Sequence, residues 1–202
     1  MSRKIITINR TYGSNGRLIG KALAEELGIH YYDKELLKIT SEQNDIPYEE
    51  LLKVDEKRAS PWRYPVNDPY QMNPQFRFDP FNDVLFRTQS EVIESLANKE
   101  DCVIIGRCAN QILGDRCISV FIHAPYEERV KTVMARLDRT EKSARAMIKK
   151  VDKDRRSYYE YFTDEKWLDM SQYNLCIDSS RFSQDEIVRM LAAMFREDQY
   201  IQ

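Results

Sequence analysis

Short apolar runs alternate along this chain with longer segments whose apolar residues recur every three or four positions, the pattern of strands interleaved with helices. Ile5-Ile6-Thr7-Ile8 is β-branched, long enough to cross a sheet and too short for a helix. Arg10 to Arg17 then breaks both periodicities. Leu18, Ile19, Ala22, Leu23, Ala24 and Leu27 return at helical spacing, and Gly28 is placed to end that helix. Ile29 to Tyr32 reads as a second short strand, followed by a helix over Lys34 to Ser41. Phe81 to Ala97 carries a helical stripe, and Cys102-Val103-Ile104-Ile105 is an uninterrupted apolar run of the kind found in central parallel strands covered on both faces. Ile118 to Ala124 gives a fourth strand, with Pro125 opening a helix over Tyr126 to Leu137. Asn174 to Ser180 gives a fifth, and Ser183-Gln184-Asp185-Glu186 has the form of a capping box ahead of Ile187, Met190, Leu191 and Met194.

Five strand-like runs, mostly separated by helices, predict an α/β fold in three layers: a five-stranded parallel sheet with helices on both faces. The stretch from 43 to 85 does not fit the alternation. Pro47 opens a short helix over Tyr48 to Lys57, after which Pro61, Pro65, Pro69, Pro74 and Pro80 punctuate a tract rich in Trp, Tyr and Phe. A disordered linker would be poor in such residues. The tract is expected to pack on the body or on a partner chain, which leaves a homo-oligomer open. Arg58, Arg63 and Arg77 are either solvated or available to an anionic substrate.

Length and composition set the frame for any chemistry. A chain of 202 residues, 42% hydrophobic and 32% charged, is expected to form one domain spanning 1–202, with 43–97 as an irregular insertion and 138–163 as a lid. A formal charge of -2 argues against generic nucleic-acid binding, so an acidic ligand would need local arginines. Cys102, Cys108, Cys117 and Cys176 show no metal-type spacing, and reduced thiols in a cytoplasm are the expectation; no metal ligand set is assigned. No apolar run approaches membrane-spanning length.

The order strand, glycine turn, helix at the start of the chain carries the main chemical signal. A helix that begins at the end of a parallel strand aims its unpaired N–H groups and the positive end of its dipole into the turn, where phosphate is the usual occupant. Gly13 and Gly16, on either side of Ser14 and Asn15, would let backbone approach an anion, with Arg10 and Arg17 bracketing it. The turn departs from the standard phosphate loop. Aligned on Gly16, Thr11 stands at the first glycine, Arg17 at the lysine and Leu18 at the hydroxyl residue. Asp33, at a strand end, is either a helix cap or a carboxylate facing that turn. Arg107 follows a buried strand and a glycine, a favourable place for a phosphate contact. Asp152, Arg155, Tyr158 and Tyr159 share one face of the charged helix over 138–163, which suits closure over a polyphosphate.

Taken together, the segments IITINRTYGSNGRLIGKALAEEL, YYDKELL, CVIIGRCANQIL, VFIHAPYEER, DKDRRSYYEYF and CIDSS make the chain resemble the cytidylate kinase-like family, a branch of the nucleoside monophosphate kinases with the P-loop fold. The resemblance implies transfer of the γ-phosphoryl group of ATP, with Mg2+, to CMP or a related nucleotide. It implies that Gly13 to Arg17 hold the donor phosphates, that Arg17, Arg139 and Arg155 serve catalysis, and that Asp33, Arg107, Asp152 and Arg155 bind the acceptor. Relative to true cytidylate kinases, Leu18 replaces the metal-binding hydroxyl, Ile105 replaces the aspartate before the Gly-Arg pair, and Cys108 replaces the aspartate after it. Magnesium would then be held by the nucleotide's own oxygens and water, with Asp33 as the nearest carboxylate. A nucleotide- or phosphate-binding protein without turnover, and a kinase of a non-nucleotide small molecule, are the alternatives.

Overall fold

A computed structural model describes residues 3–44, 47–56 and 81–197. The aromatic tract after Pro61, with Arg58, Arg63 and Arg77, lies outside those residues. Five strands, β1 (Ile5–Arg10), β2 (His30–Tyr32), β3 (Cys102–Ile105), β4 (Ile118–His123) and β5 (Leu175–Asp178), form one parallel sheet in the order β2-β3-β1-β4-β5. β1 lies in the middle, paired with β3 on one side (Ile8 opposite Ile105) and β4 on the other (Ile8 opposite Val120). The carboxyl end of β1 is therefore the point where the winding changes direction, and a crevice opens there.

The strand side chains explain the three layers. On one face Ile6 and Ile8 join Val103, Ile105, Val120 and Ile122 against α1 (Gly16–Leu27) and α8 (Gln184–Arg196), through Ile19, Leu23, Ile187 and Leu191. On the other, Ile5, Cys102 and Ile104 meet α2 (Glu35–Asn44), α4 (Phe81–Lys99) and α5 (Ala109–Leu113), through Leu36, Val92, Ile93 and Leu113. All four β3 residues are buried, as their uninterrupted apolar run predicts. α3 (Tyr48–Val54) is tied to α2 and α4 through Leu51, which packs on Leu37 and Leu85. α6 (Tyr126–Leu137) and the long α7 (Glu141–Thr163) form a hairpin whose seam is Val130, Val133, Ala144 and Ile148.

Several local rules read from sequence hold at their stated residues. Gly28 ends α1 in the left-handed conformation at φ 66°, and Ser183 with Glu186 forms a complete capping box at α8. The helix expected to run through Lys57 instead ends at Val54, because the chain turns at Asp55 and Glu56, the latter at φ 48°. α2 begins at Glu35, and Pro125 stands just before α6 as its cap residue and not as its first helical one. Among the described residues no helix is long and apolar enough to cross a membrane.

Candidate functional site

The crevice at the end of β1 is a cleft of about 410 Å3 lined by the Thr11–Leu18 turn, Asp33 and Lys34, Asp55 and Glu56, Arg10, Arg107, Arg136 and Arg155. Its floor is the turn. Gly13 takes φ 85° and Asn15 φ 60°, so the chain doubles back and enters α1 with Asn15 at the cap position offering no side-chain bond to the helix. The amides of Gly16, Arg17 and Leu18 form the open first turn of α1, and the helical ladder begins with Ile19 N–H donating to Asn15 O at 3.0 Å. The glycines are sterically required. A Cβ on Gly13 would stand 2.9 Å from the Arg129 carbonyl oxygen, and one on Gly16 would stand 2.6 Å from Arg10 Cβ. Ser14 braces the turn from below, its hydroxyl 2.9 Å from Thr11 O and 3.0 Å from Ile122 O.

Above the turn, four guanidinium groups face three carboxylates. Arg10 makes a two-pronged pair with Glu56 at 2.7 and 2.9 Å, and Arg107 makes another with Asp55 at 3.0 and 2.8 Å. Arg107 N–H also donates to Glu56 Oε1 at 3.2 Å. Arg155 reaches Glu56 at 3.5 Å and donates to the Arg10 carbonyl at 3.3 Å. Asp33 takes Arg17 Nε at 2.5 Å on one oxygen and stands 3.7 Å from Arg107 on the other. Its carboxylate thus faces the turn and its arginine, while its carbonyl accepts from Leu36 N at 3.3 Å.

Burial makes these pairs count. The Arg10 and Arg107 side chains are 7% and 2% exposed. Burial alone would pull both guanidinium groups down, yet the carboxylates outweigh it and hold both above their ordinary value, Glu56 leading for Arg10 and Asp55 for Arg107. Burial would raise the Glu56 carboxyl, but Arg10 and Arg155 outweigh it and keep it well below the carboxylate range. Arg155 is less well compensated: burial, with Arg10 beside it, brings it down to about 10, so it stays charged at neutral pH. Among the described residues, two buried polar atoms of the cleft-lining residues, Arg10 Nε and Thr11 Oγ1, find no hydrogen-bond partner.

The backbone at the end of β3 is unusual. Gly106, Arg107 and Cys108 take φ 70°, 53° and 56° in succession. Left-handed conformations at two non-glycine residues cost on the order of 1–3 kcal/mol each, and they persist here because Arg107 is fixed at both its amide and its guanidinium. Gly106 must lack a Cβ, since one would overlap Glu56 Oε1 and Arg10 Nη1.

Of the residues singled out from sequence, Gly13, Asn15, Gly16, Arg17, Asp33, Arg107 and Arg155 all line this cleft. Asp152 does not line the cleft: its carboxylate is taken up by Tyr12 N at 2.7 Å and Arg129 at 2.5 Å, which holds α7 against the turn. Arg139 does not line the cleft. It is exposed in the turn between α6 and α7, where Asp138 at φ 48° redirects the chain, and Arg136 takes the lining position. Asp55, Glu56 and Arg136 carry no motif or periodicity that would mark them in the sequence, and Arg129 closes the VFIHAPYEER segment with no role of its own to be read there.

Phosphate fits this floor: the first-turn amides of α1 are open, and the turn's glycines leave no room for a Cβ. A protein-held Mg2+ does not. Leu18 is 42% exposed and Ile105 fully buried, neither offers an oxygen side chain, and Asp33 is engaged by two arginines. Among the described residues no group of three His, Cys, Asp or Glu side chains is placed to hold a metal ion.

Comparison with known proteins agrees with this geometry. The model of the cytidylate kinase-like family matches residues 5–181. The cytidylate kinase of Methanopyrus kandleri is 25% identical over 200 residues, 94% of this chain and 91% of that protein. An uncharacterized protein from Eubacterium ventriosum has a crystal structure 30% identical in sequence, with TM-score 0.71, over 96% of this chain and 98% of its own. Shikimate kinase from Bacteroides thetaiotaomicron (14% identical, TM-score 0.55, covering 96% and 99%) and a gluconokinase from Sinorhizobium meliloti (15%, 0.53, 96% and 91%) share the fold.

Proposed function

This chain belongs to the cytidylate kinase-like family of nucleotide-binding phosphotransferases, and from that premise we propose that it transfers the γ-phosphoryl group of ATP to CMP or a closely related nucleoside monophosphate. The observation that carries the reading is the meeting, in one cleft, of an open helix N-terminus with a set of buried arginines. The first fits the donor polyphosphate and the second a phosphorylated acceptor.

Phosphoryl transfer asks for little covalent chemistry. It asks for in-line placement and for positive charge around the equatorial oxygens. Amides from Gly13 to Leu18 hold the donor phosphates, with Arg17 at the lip. Arg107 and Arg10 hold the acceptor's phosphate, and Arg155, coming from α7, stands between the two subsites. Asp33 orients Arg17 and Arg107. Mg2+ bound to the nucleotide would supply charge neutralisation of its phosphates, and no side chain of this cleft is assigned to hold it. α7 seals the turn through Asp152 and excludes water.

Incubation with ATP and Mg2+ across a panel of nucleoside monophosphates should convert at least one, CMP first, to its diphosphate. Failure across the whole panel would overturn the acceptor assignment. A second reading, a sensor that binds a nucleotide without turnover, draws on Leu18 and Ile105 at metal-side positions. It predicts ATP binding of equal strength with and without Mg2+.

A further inference from the structure

We propose that Asp55 and Glu56 are an intrachain counter-ligand: their carboxylates occupy the acceptor-anion subsite and are exchanged for the acceptor's phosphate. This rests on the reading of the cleft as a phosphoryl-acceptor site and adds a device that sets which anions enter it.

The geometry is that of a bound ligand. Each carboxylate is held by an arginine in the two-pronged manner by which arginine grips carboxylate or phosphate alike. Glu56 touches all three cage arginines, through the Arg10 guanidinium, the Arg107 amide and Arg155. It is brought there by a left-handed backbone at φ 48°, a conformation that a glutamate adopts at a cost. Space for its carboxylate exists because residue 106 is glycine.

Charge and satisfaction favour exchange. Two carboxylates carry the same charge as one phosphate monoester dianion, so substitution leaves the cage balanced. The present occupants also fill it imperfectly. Arg10 Nε, in a residue only 6% exposed, finds no partner among the described residues, and Arg155 meets Glu56 only at 3.5 Å. A phosphate monoester has three terminal oxygens against the four of the two carboxylates, but it gathers them tetrahedrally on one centre, an arrangement that can meet Arg10, Arg107 and Arg155 together. The carrier is small. Asp55 and Glu56 follow a seven-residue helix anchored by Leu51, so their withdrawal does not require the sheet to change. A weakly charged or misplaced anion would not displace two paired carboxylates, so the pair acts as a threshold in favour of dianionic acceptors.

The test is the Asp55→Asn, Glu56→Gln double variant, titrated with inorganic phosphate and then CMP in phosphate-free buffer by calorimetry and thermal melting. Without phosphate the variant should melt below the parent, because arginines are left unpaired. Phosphate should restore its midpoint while moving the parent's little, and its Kd for phosphate should fall at least about tenfold. Equal phosphate response in parent and variant, or none in either, overturns the proposal. Should the double variant not fold, the parent's Arg107 amide is the readout. It is bonded to Glu56 in the resting state, and saturating CMP or phosphate should shift its resonance together with those of Asp55 and Glu56. Anion binding that leaves those three resonances in place would contradict exchange. These readouts use phosphate binding and not turnover, so loss of the nucleotide-acceptor reading would show as no product in the panel while the anion response persisted.

Discussion

Arg107→Met will lose about 3 kcal/mol of folding stability and, separately, about 100-fold in kcat/KM for the acceptor nucleotide. The stability term follows from burial. The side chain is 2% exposed and holds Asp55 in two contacts, so its removal leaves a carboxylate, itself only 16% exposed, without its partner. Breaking a buried pair from one side costs roughly 3–5 kcal/mol, and the residual exposure of Asp55 places this case at the lower end. The activity term follows from losing one positioned donor to a phosphate, a change usually worth on the order of 100-fold or more. The two are separable. Arg107→Met with Asp55→Asn removes both charges, so urea denaturation should show most of the lost stability returning, while steady-state kinetics should show only a partial recovery of kcat/KM, because the competing carboxylate is gone but the phosphate's arginine is still missing.

Gly13→Ala will weaken ATP binding by about 30-fold or more and lower stability by about 1–2 kcal/mol. The residue stands at φ 85°, where a side chain is strained, and the added Cβ would lie 2.9 Å from the Arg129 carbonyl oxygen and 3.0 Å from Val133. Backbone cannot yield as a flexible side chain would, so the turn shifts and its amides leave their common focus. Gly28→Ala is the matched control: it too has positive φ, at 66°, but nothing lies within 4 Å of the new Cβ. Calorimetry should find its ATP affinity unchanged and urea melts a loss near 1 kcal/mol.

The parts of this molecule legible in its sequence are those specified locally. The change of period at Arg10 marks the end of β1 and the start of the turn, and the run from Cys102 to Ile105 marks the buried strand β3 to the residue, although the middle of the sheet is β1 and not β3. Gly28 and Ser183 announce helix ends because their roles are met within one turn of chain. Arg107 was legible for a related reason: a residue just past a buried parallel strand is delivered to the ligand edge of the sheet.

What was hidden is what depends on contacts far apart in sequence. Glu56 pairs with Arg10 across 46 positions and Asp55 with Arg107 across 52, and nothing around Val54-Asp55-Glu56-Lys57 distinguishes them from a solvated helix end. The exchange of Arg139 for Arg136 has a similar origin. A single left-handed residue, Asp138, decides which arginine of the α6 end meets the cleft, and aspartate does not announce that conformation. Asp33 left two roles open in sequence, and its side chain takes the one facing the turn, because Arg17 and Arg107 converge on it.

The central claim is that the amides from Gly13 to Leu18 grip the donor's phosphates. Backbone amide resonances followed while ATP with Mg2+ is added test it most directly: the account predicts that the amides of Gly13, Asn15, Gly16, Arg17 and Leu18 show the largest shifts and saturate together. ATP binding that leaves those amides unmoved, or no binding at all, would contradict it.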